Sequence, residues 1–284
     1  MRICFRFLAG FGCAAILGAQ TPELPLEPFH QAGQSITGAF EGWYPNSDGT
    51  STLLFGYMNR NFQESLDIPV GPNNHVDPGG PDRGQPTHFR PRRQWGVFTV
   101  TVPKDFGDQQ ITWTIVAHGK ETSIPGNLNP LWLVSPFKEE SMHNTPPFLL
   151  FEPGGRTVQG PPLGIANSLT ATVSNPLPLT VWAADDAKVL EGARKSPPGP
   201  PITITWAMFR GPGTVTFSKE KPPLEKAEFK APPGSTVTAK FSTSATFSEP
   251  GEYILEVTAN DWSGEGPCFP LDQRAGESHG QAVR

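Results

Sequence analysis

Apolar and polar side chains alternate through most of this chain. Phe98, Val100 and Val102 share one face of a run that begins at Trp95, with Thr99 and Thr101 opposite. Ile111, Trp113, Ile115 and Ala117 repeat at every second position, with Thr112, Thr114 and His118 on the other side. The stretch from Ser51 to Met58 is rich in β-formers. A period of two with one polar face predicts half-buried antiparallel strands. Turn chemistry separates the runs, as in Pro45-Asn46-Ser47-Asp48-Gly49, Pro78-Gly79-Gly80-Pro81 and Asp105-Phe106-Gly107-Asp108. No 3.6-residue period and no fixed repeat stands out.

A second alternating series begins near residue 163. It runs through Leu169 and Ala171, Leu177 to Ala183, Ile202 to Met208, Val215 and Phe217, Val237 to Phe241, Ala245 and Phe247, and Tyr253 to Ala259. Seven short alternating segments over about 95 residues predict a β-sandwich. The expected fold is therefore all-β, with two antiparallel β-sandwich domains. The first is placed at 35–152 and the second at 163–262, with a Pro/Gly joint at 153–162 and a polar tail at 263–284. Of the 284 residues, 33 are Pro and 30 are Gly, which excludes a mostly helical protein. Hydrophobic residues make up 36% and aromatics 10%, too many for a disordered chain.

The first twenty residues read as a secretory signal peptide. Arg2 and Arg6 precede an apolar run from Phe7 to Leu17, and small residues follow at Gly18 and Ala19. The run is shorter than the roughly 20 residues a spanning helix needs. Gly10-Phe11-Gly12 before Cys13 makes a poor lipobox, so lipid attachment there is not expected. A Pro-rich extended segment follows at 21–34. Cleavage takes two of the 22 basic residues, leaving 20 against 27 acidic ones, and removes Cys4 and Cys13. A chain left with Cys268 alone cannot close an internal disulfide and must hold its folds by packing. The acidic balance excludes a nucleic-acid partner. Absence of a second long apolar run predicts a soluble protein, secreted or periplasmic.

Two groups of residues in the second half carry a resemblance. One is Asp185-Asp186, Ile204-Thr205-Trp206 and the run from Gly211 to Ser218; the other is the run from Ala245 to Asp261. Over about residues 163–262 they resemble a PKD or cadherin-like immunoglobulin-type domain. The resemblance implies a sandwich with Trp206 between the sheets and Leu255 where antibody domains carry a cysteine. It also implies a tyrosine corner at Tyr253 after the Pro250-Gly251 turn, whose hydroxyl bonds backbone upstream. Such domains finish with a further strand, yet the tail after Trp262 shows no alternation. Either that strand is missing, leaving an edge open to partner pairing, or another segment fills its place.

Candidate chemistry is sparse. The chain has no H-E-x-x-H, P-loop, dinucleotide fingerprint or C-x-x-C. His75, Asp77, Asp82 and His88 share one long Pro/Gly-rich stretch and have the side chains of metal ligands, but in no known ligand spacing. The competing reading is a connecting loop whose polar groups bond its own backbone. Asp185, Asp186 and Asp261 form a second candidate, for a divalent cation such as Ca²⁺ between loops at one pole of the second sandwich, against simple turn formation. Trp43, Tyr44 and Trp132 are candidate surface rings for ligand binding. Arg90, Arg92 and Arg93 read as guards of a strand edge. The expected function is non-catalytic binding or scaffolding outside the cytoplasm, directed at a glycan, a protein or an envelope component. The alternative is a hydrolase, metal-dependent or otherwise, in the first domain, with the second as accessory.

Overall fold

In a computed structural model, residues 30–138, 143–188 and 199–261 are described, together with the backbone of 268–275. The signal peptide, Cys13 and the Pro-rich segment before His30 lie outside the described residues. Among the described residues, no helix is long and apolar enough to cross a membrane.

Among the described residues, the regular structure is nearly all strand. In the first half, β1 (Ile36–Pro45), β2 (Ser51–Asn59), the short β3 (Leu66–Asp67), β4 (Asn74–Asp77), β5 (His88–Phe89), β6 (Arg92–Val102), β7 (Ile111–Ala117) and β8 (Lys120–Gly126) form two three-stranded sheets and a small pair. One sheet has the order β1-β2-β6 and the other β4-β7-β8, while β3 pairs with β5. All of these pairs are antiparallel. Leu53, Phe55, Phe98 and Val100 from one sheet meet Val76, Ile111, Trp113 and Ile115 from the other in a single buried cluster. Trp113 stands edge-on to Phe98 with ring centroids 4.8 Å apart. Its indole N–H donates to Asn74 Oδ1 at 3.0 Å, so the buried polar edge is satisfied.

The second half contains β9 (Phe148–Leu150), β10 (Thr157–Val158), β11 (Ser168–Ala171), β12 (Leu177–Asp185), β13 (Thr203–Arg210), β14 (Val215–Phe217), β15 (Glu225–Lys226), β16 (Val237–Phe247), β17 (Gly251–Asn260) and β18 (Cys268–Ala275). One sheet has the order β10-β9-β12-β16-β14, with β15 also on β16; the other has the order β11-β18-β17-β13. Trp206 and Leu255 are fully buried in the second core, as the alternation requires. The Tyr253 hydroxyl donates to Glu249 O and accepts from Gly213 N, both at 3.1 Å, which is the expected tyrosine corner. The fold is thus all-β, with two layered cores.

Three boundaries differ from the sequence reading. Strands β9 and β10 lie in the expected first domain and joint, but β9 pairs with β12 and Leu149 enters the second core. The tail contributes β18, which closes the edge of β17 and pairs in parallel with β11, the only parallel pair between strands among the described residues. The edge of β17 is therefore not available to a partner strand. The two halves also share a seam. Phe209, on the opposite parity to Ile204, Trp206 and Met208, points out of its own sandwich and enters the first core, beside a register shift between Met208 and Arg210. Beside it, Arg210 donates twice to Asp82, at 2.8 and 3.0 Å, and Arg90 reaches the buried Glu256 at 3.0 Å.

Candidate functional site

The strongest surface feature is a strap that follows β8. Asn129 caps a single 3₁₀ turn at Pro130–Trp132, its side chain accepting from Leu131 N at 2.9 Å. The strap then runs parallel to the outer edge of β1. Val134 N donates to Trp43 O at 3.0 Å, and the Trp43 indole donates to Asn129 O at 2.9 Å. The approach is close enough to require glycine at position 42. Its φ is +121°, and a Cβ there would lie 2.6 Å from both Trp132 O and Val134 Cγ1. Held in this way, Leu131, Trp132 and Leu133 stay 89%, 50% and 54% exposed, a run of apolar surface that soluble proteins seldom show without a use for it.

Behind the strap lies a cleft of about 550 Å³, lined chiefly by Leu54, Trp95, Val134, Pro136, Pro146 and Pro161. Two irregularities build its floor. The β1–β2 register shifts at Glu41, and the β2–β6 register shifts around Trp95 and Gly96. Bulges re-aim side chains. Here they bring the Glu41 carboxylate to Gly96 N at 2.7 Å and to the Arg93 guanidinium. A Cβ at Gly56 would collide with that carboxylate. Arg93 also lies 3.7 Å over the Trp95 ring, bracing it while about half of the residue stays exposed.

The three expected surface rings part company here. Trp132 is exposed, with Phe40 5.7 Å away, and Trp43 is half-buried with its N–H in use. Tyr44 is a correction: it is buried edge-on against Phe137, and burial raises its phenol above the ordinary value. Trp95 shares the outer parity of Thr99 and Thr101, and the period-two pattern alone does not show that this outer ring borders a cleft. The three arginines are each engaged, Arg90 with Glu256, Arg92 over the Phe62 ring and Arg93 with Glu41.

The His75–His88 stretch does not gather its candidate ligands. His75 and Asp77 sit together on β4 at 3.4 Å, His88 bonds Asp67 at 2.7 Å, and Asp82 is taken by Arg210, which holds its carboxyl below the ordinary value. The stretch is tied internally instead. Buried Asn74 donates to Ile68 O and Pro86 O, and buried Gln85 donates to Pro81 O.

Asp185, Asp186 and Asp261, in contrast, do come together at one pole of the second sandwich. Asp185 continues the inward parity of Leu179, Val181 and Ala183, and Asp261 continues that of Leu255, Val257 and Ala259 from the facing sheet. Asn144 Nδ2 donates to Asp261 at 2.7 Å, and Thr145 and Lys188 both bond Asp186. Asp185 is only 1% exposed. One of its oxygens accepts from Ala187 N at 2.8 Å, and the other is buried without a hydrogen-bond partner. Burial first, and then the charges of Asp261 and Asp186, push its carboxyl up to about 6. The three carboxylates lean on separate donors. Among the described residues, no three His, Cys, Asp or Glu side chains stand ready around one point for a metal ion.

No family model matches the chain, and no curated protein matches it. Among solved structures it is similar to a protein of unknown function from Porphyromonas gingivalis W83, at 8% identity over 84% of this chain and 99% of that one, with a TM-score of 0.21. It is similar to the D00–D0 domain of intimin at 7% identity over 84% and 99%, with a TM-score of 0.25. The adhesin InvE of Yersinia pseudotuberculosis matches at 13% identity over 84% of this chain and 58% of that one, with a TM-score of 0.22. Likeness this slight carries no argument; the fold rests on the strand pairing and the two cores described above.

Proposed function

We propose that this is a non-catalytic binding protein acting outside the cytoplasm, and that it takes an apolar segment of a partner protein between the strap and Trp95. One observation carries the reading: an apolar ridge at Leu131–Leu133 is held rigidly beside a cleft walled by Trp95, Val134 and three prolines. Such a surface is costly to leave in water and gains from covering apolar side chains, at about 25 cal/mol per Å² buried. A sugar, with a hydroxyl on most carbons, needs polar partners. Here the Glu41 carboxylate is already occupied by Arg93 and Gly96 N. Export is supported by the leader-like first twenty residues.

The test is a random-peptide display screen and a glycan array, both run on the mature chain and on a Trp95→Ala, Trp132→Ala double variant. The reading expects enrichment of peptides with one or two large apolar anchors, lost in the variant, and a blank glycan array. Sugar binding that depends on either tryptophan would replace it with a carbohydrate function. Absence of any tryptophan-dependent enrichment would refute it.

A further inference from the structure

We infer that the outer edge of β6 is a docking site for an extended, largely apolar peptide segment of a partner protein, which adds one strand to the β1-β2-β6 sheet. The site lies across the Pro161-Pro162 crossing from the strap cleft and does not depend on the reading given for that cleft. The parity of the backbone bonds fixes which groups of β6 point outward. Trp43 O is taken by Val134 N on the far side of β1. The register partner of Trp43 on β2, Leu53, therefore turns its backbone groups toward β6, where it faces Val100. Thr99 and Thr101, one step to either side of Val100, direct theirs away from the sheet. Arg83 Nη2 reaches Thr101 O from that side at 3.5 Å, which agrees. Among the described residues, no strand pairs with this edge, and the Thr99 N–H, the Thr99 carbonyl and the Thr101 N–H have no hydrogen-bond partner there.

The chain that passes over β6 does not supply the missing strand. It meets β6 through the Thr99 hydroxyl, which donates to Pro162 O, and Pro161 and Pro162 have no N–H to give. It helps instead to enclose a cleft of about 490 Å³ along the edge. The edge forms one wall and Phe209 and Ile254 of the second half form the other, while Leu163 and Ile165 stand at the rim, 55% and 42% exposed. Unpaired main-chain groups beside exposed apolar side chains are what strand addition needs, the ladder giving affinity and the alternate side chains giving fit. The recess selects the occupant. An edge strand of a second copy carries the bulk of its own sheet and walls, whereas a lone extended segment needs only one strand spacing, about 5 Å. Charge narrows it further. Arg210 is engaged by Asp82, but among the described residues the Arg83 guanidinium bonds only carbonyl oxygens, Pro78 O at 2.9 Å and Thr101 O, and no acidic side chain lines the cleft. Its remaining N–H donors suit a carboxylate. The fitting segment has apolar side chains at alternate positions and an acidic residue at the Arg83 end.

The experiment is a random-peptide display screen on the full mature chain carrying Trp95→Ala and Trp132→Ala, so that failure of the strap reading leaves the result untouched. Enriched peptides are synthesised, and their affinities are measured by fluorescence anisotropy on that chain and on further variants of it. The expected set has alternating apolar residues and an acidic end. Thr99→Pro deletes an outward N–H and leaves the β2 ladder intact, so it should weaken binding about tenfold, as one lost hydrogen bond warrants. Leu163→Ser with Ile165→Ser, both at exposed positions, should weaken it by about as much or more. N-methylation of the peptide amides, one at a time, should abolish binding at every second position and be tolerated between them. If Thr99→Pro fails to fold, the serine variant and the methylation pattern decide. No enrichment, enrichment indifferent to Leu163 and Ile165, or equal tolerance of methylation at all positions overturns the site. So does a dimer of the mature chain in sedimentation that Thr99→Pro abolishes, because the edge then belongs to a second copy.

Discussion

Replacing Phe209 by alanine tests how the two halves are joined. Phe209 belongs by sequence to β13 of the second sandwich, but it is 4% exposed within the first core. Transfer of a buried phenylalanine side chain is worth about 1.5–3 kcal/mol, and the cavity it leaves raises the cost of Phe→Ala to about 3–5 kcal/mol. The neighbouring Arg210–Asp82 pair, with Asp82 half-exposed, contributes about 0–1 kcal/mol by comparison. The seam is therefore held chiefly by packing. Urea unfolding followed by tryptophan fluorescence and by calorimetry should give one transition for the wild type. Phe209→Ala should lose about 3–5 kcal/mol and unfold the first half ahead of the second. Asp82→Asn should lose about 1 kcal/mol or less. If Phe209→Ala costs no more than Asp82→Asn and a single transition persists, the shared core does not exist.

Three further outcomes follow from single contacts. Tyr253→Phe removes a hydroxyl that bonds both Glu249 O and Gly213 N, and should cost about 1–3 kcal/mol in denaturant melts; a change within error would mean that water substitutes fully. Gly42→Ala forces a left-handed φ and a clash with Trp132 O, so it should cost about 1–3 kcal/mol and unseat the strap, raising the solvent quenching of Trp43; unchanged quenching would refute the close approach. The Asp185 carboxyl, lifted from 3.8 to about 6, binds its proton more tightly folded than unfolded. Its contribution to stability is thus full below about pH 4 and lost as pH rises through 6, by at most about 3 kcal/mol. Asp185→Asn should flatten that slope in melting temperature between pH 4 and 8; an identical slope would remove the burial argument.

Much of the fold was legible because alternation reports directly on which face is buried. Phe98, Val100, Trp113, Trp206 and Leu255 are buried as their spacing requires. The tyrosine corner was legible because a Pro-Gly turn fixes where Tyr253 begins its strand. What stayed hidden depends on long-range packing or on register. Phe209 and Trp95 both lie on the outer parity of their strands, and parity does not report that one outer ring is covered by the other half while the other stays half-exposed. Tyr44 is buried by Phe137, more than ninety residues away. Strand β18 has no alternation of its own; it forms where β11 and β17 leave a slot between them. At the candidate sites, the Asp185–Asp261 meeting could be anticipated from the ends of two inward-facing parities. The strap could not, because its docking on β1 rests on backbone bonds and one glycine.

The most direct test of the binding account is amide hydrogen exchange of the mature chain, alone and with a peptide enriched in the display screen. The account predicts that added protection is confined to residues 131–137 and 94–97, where the strap and the braced Trp95 line the cleft. Protection spread over the second sandwich, or none at the strap, would contradict it.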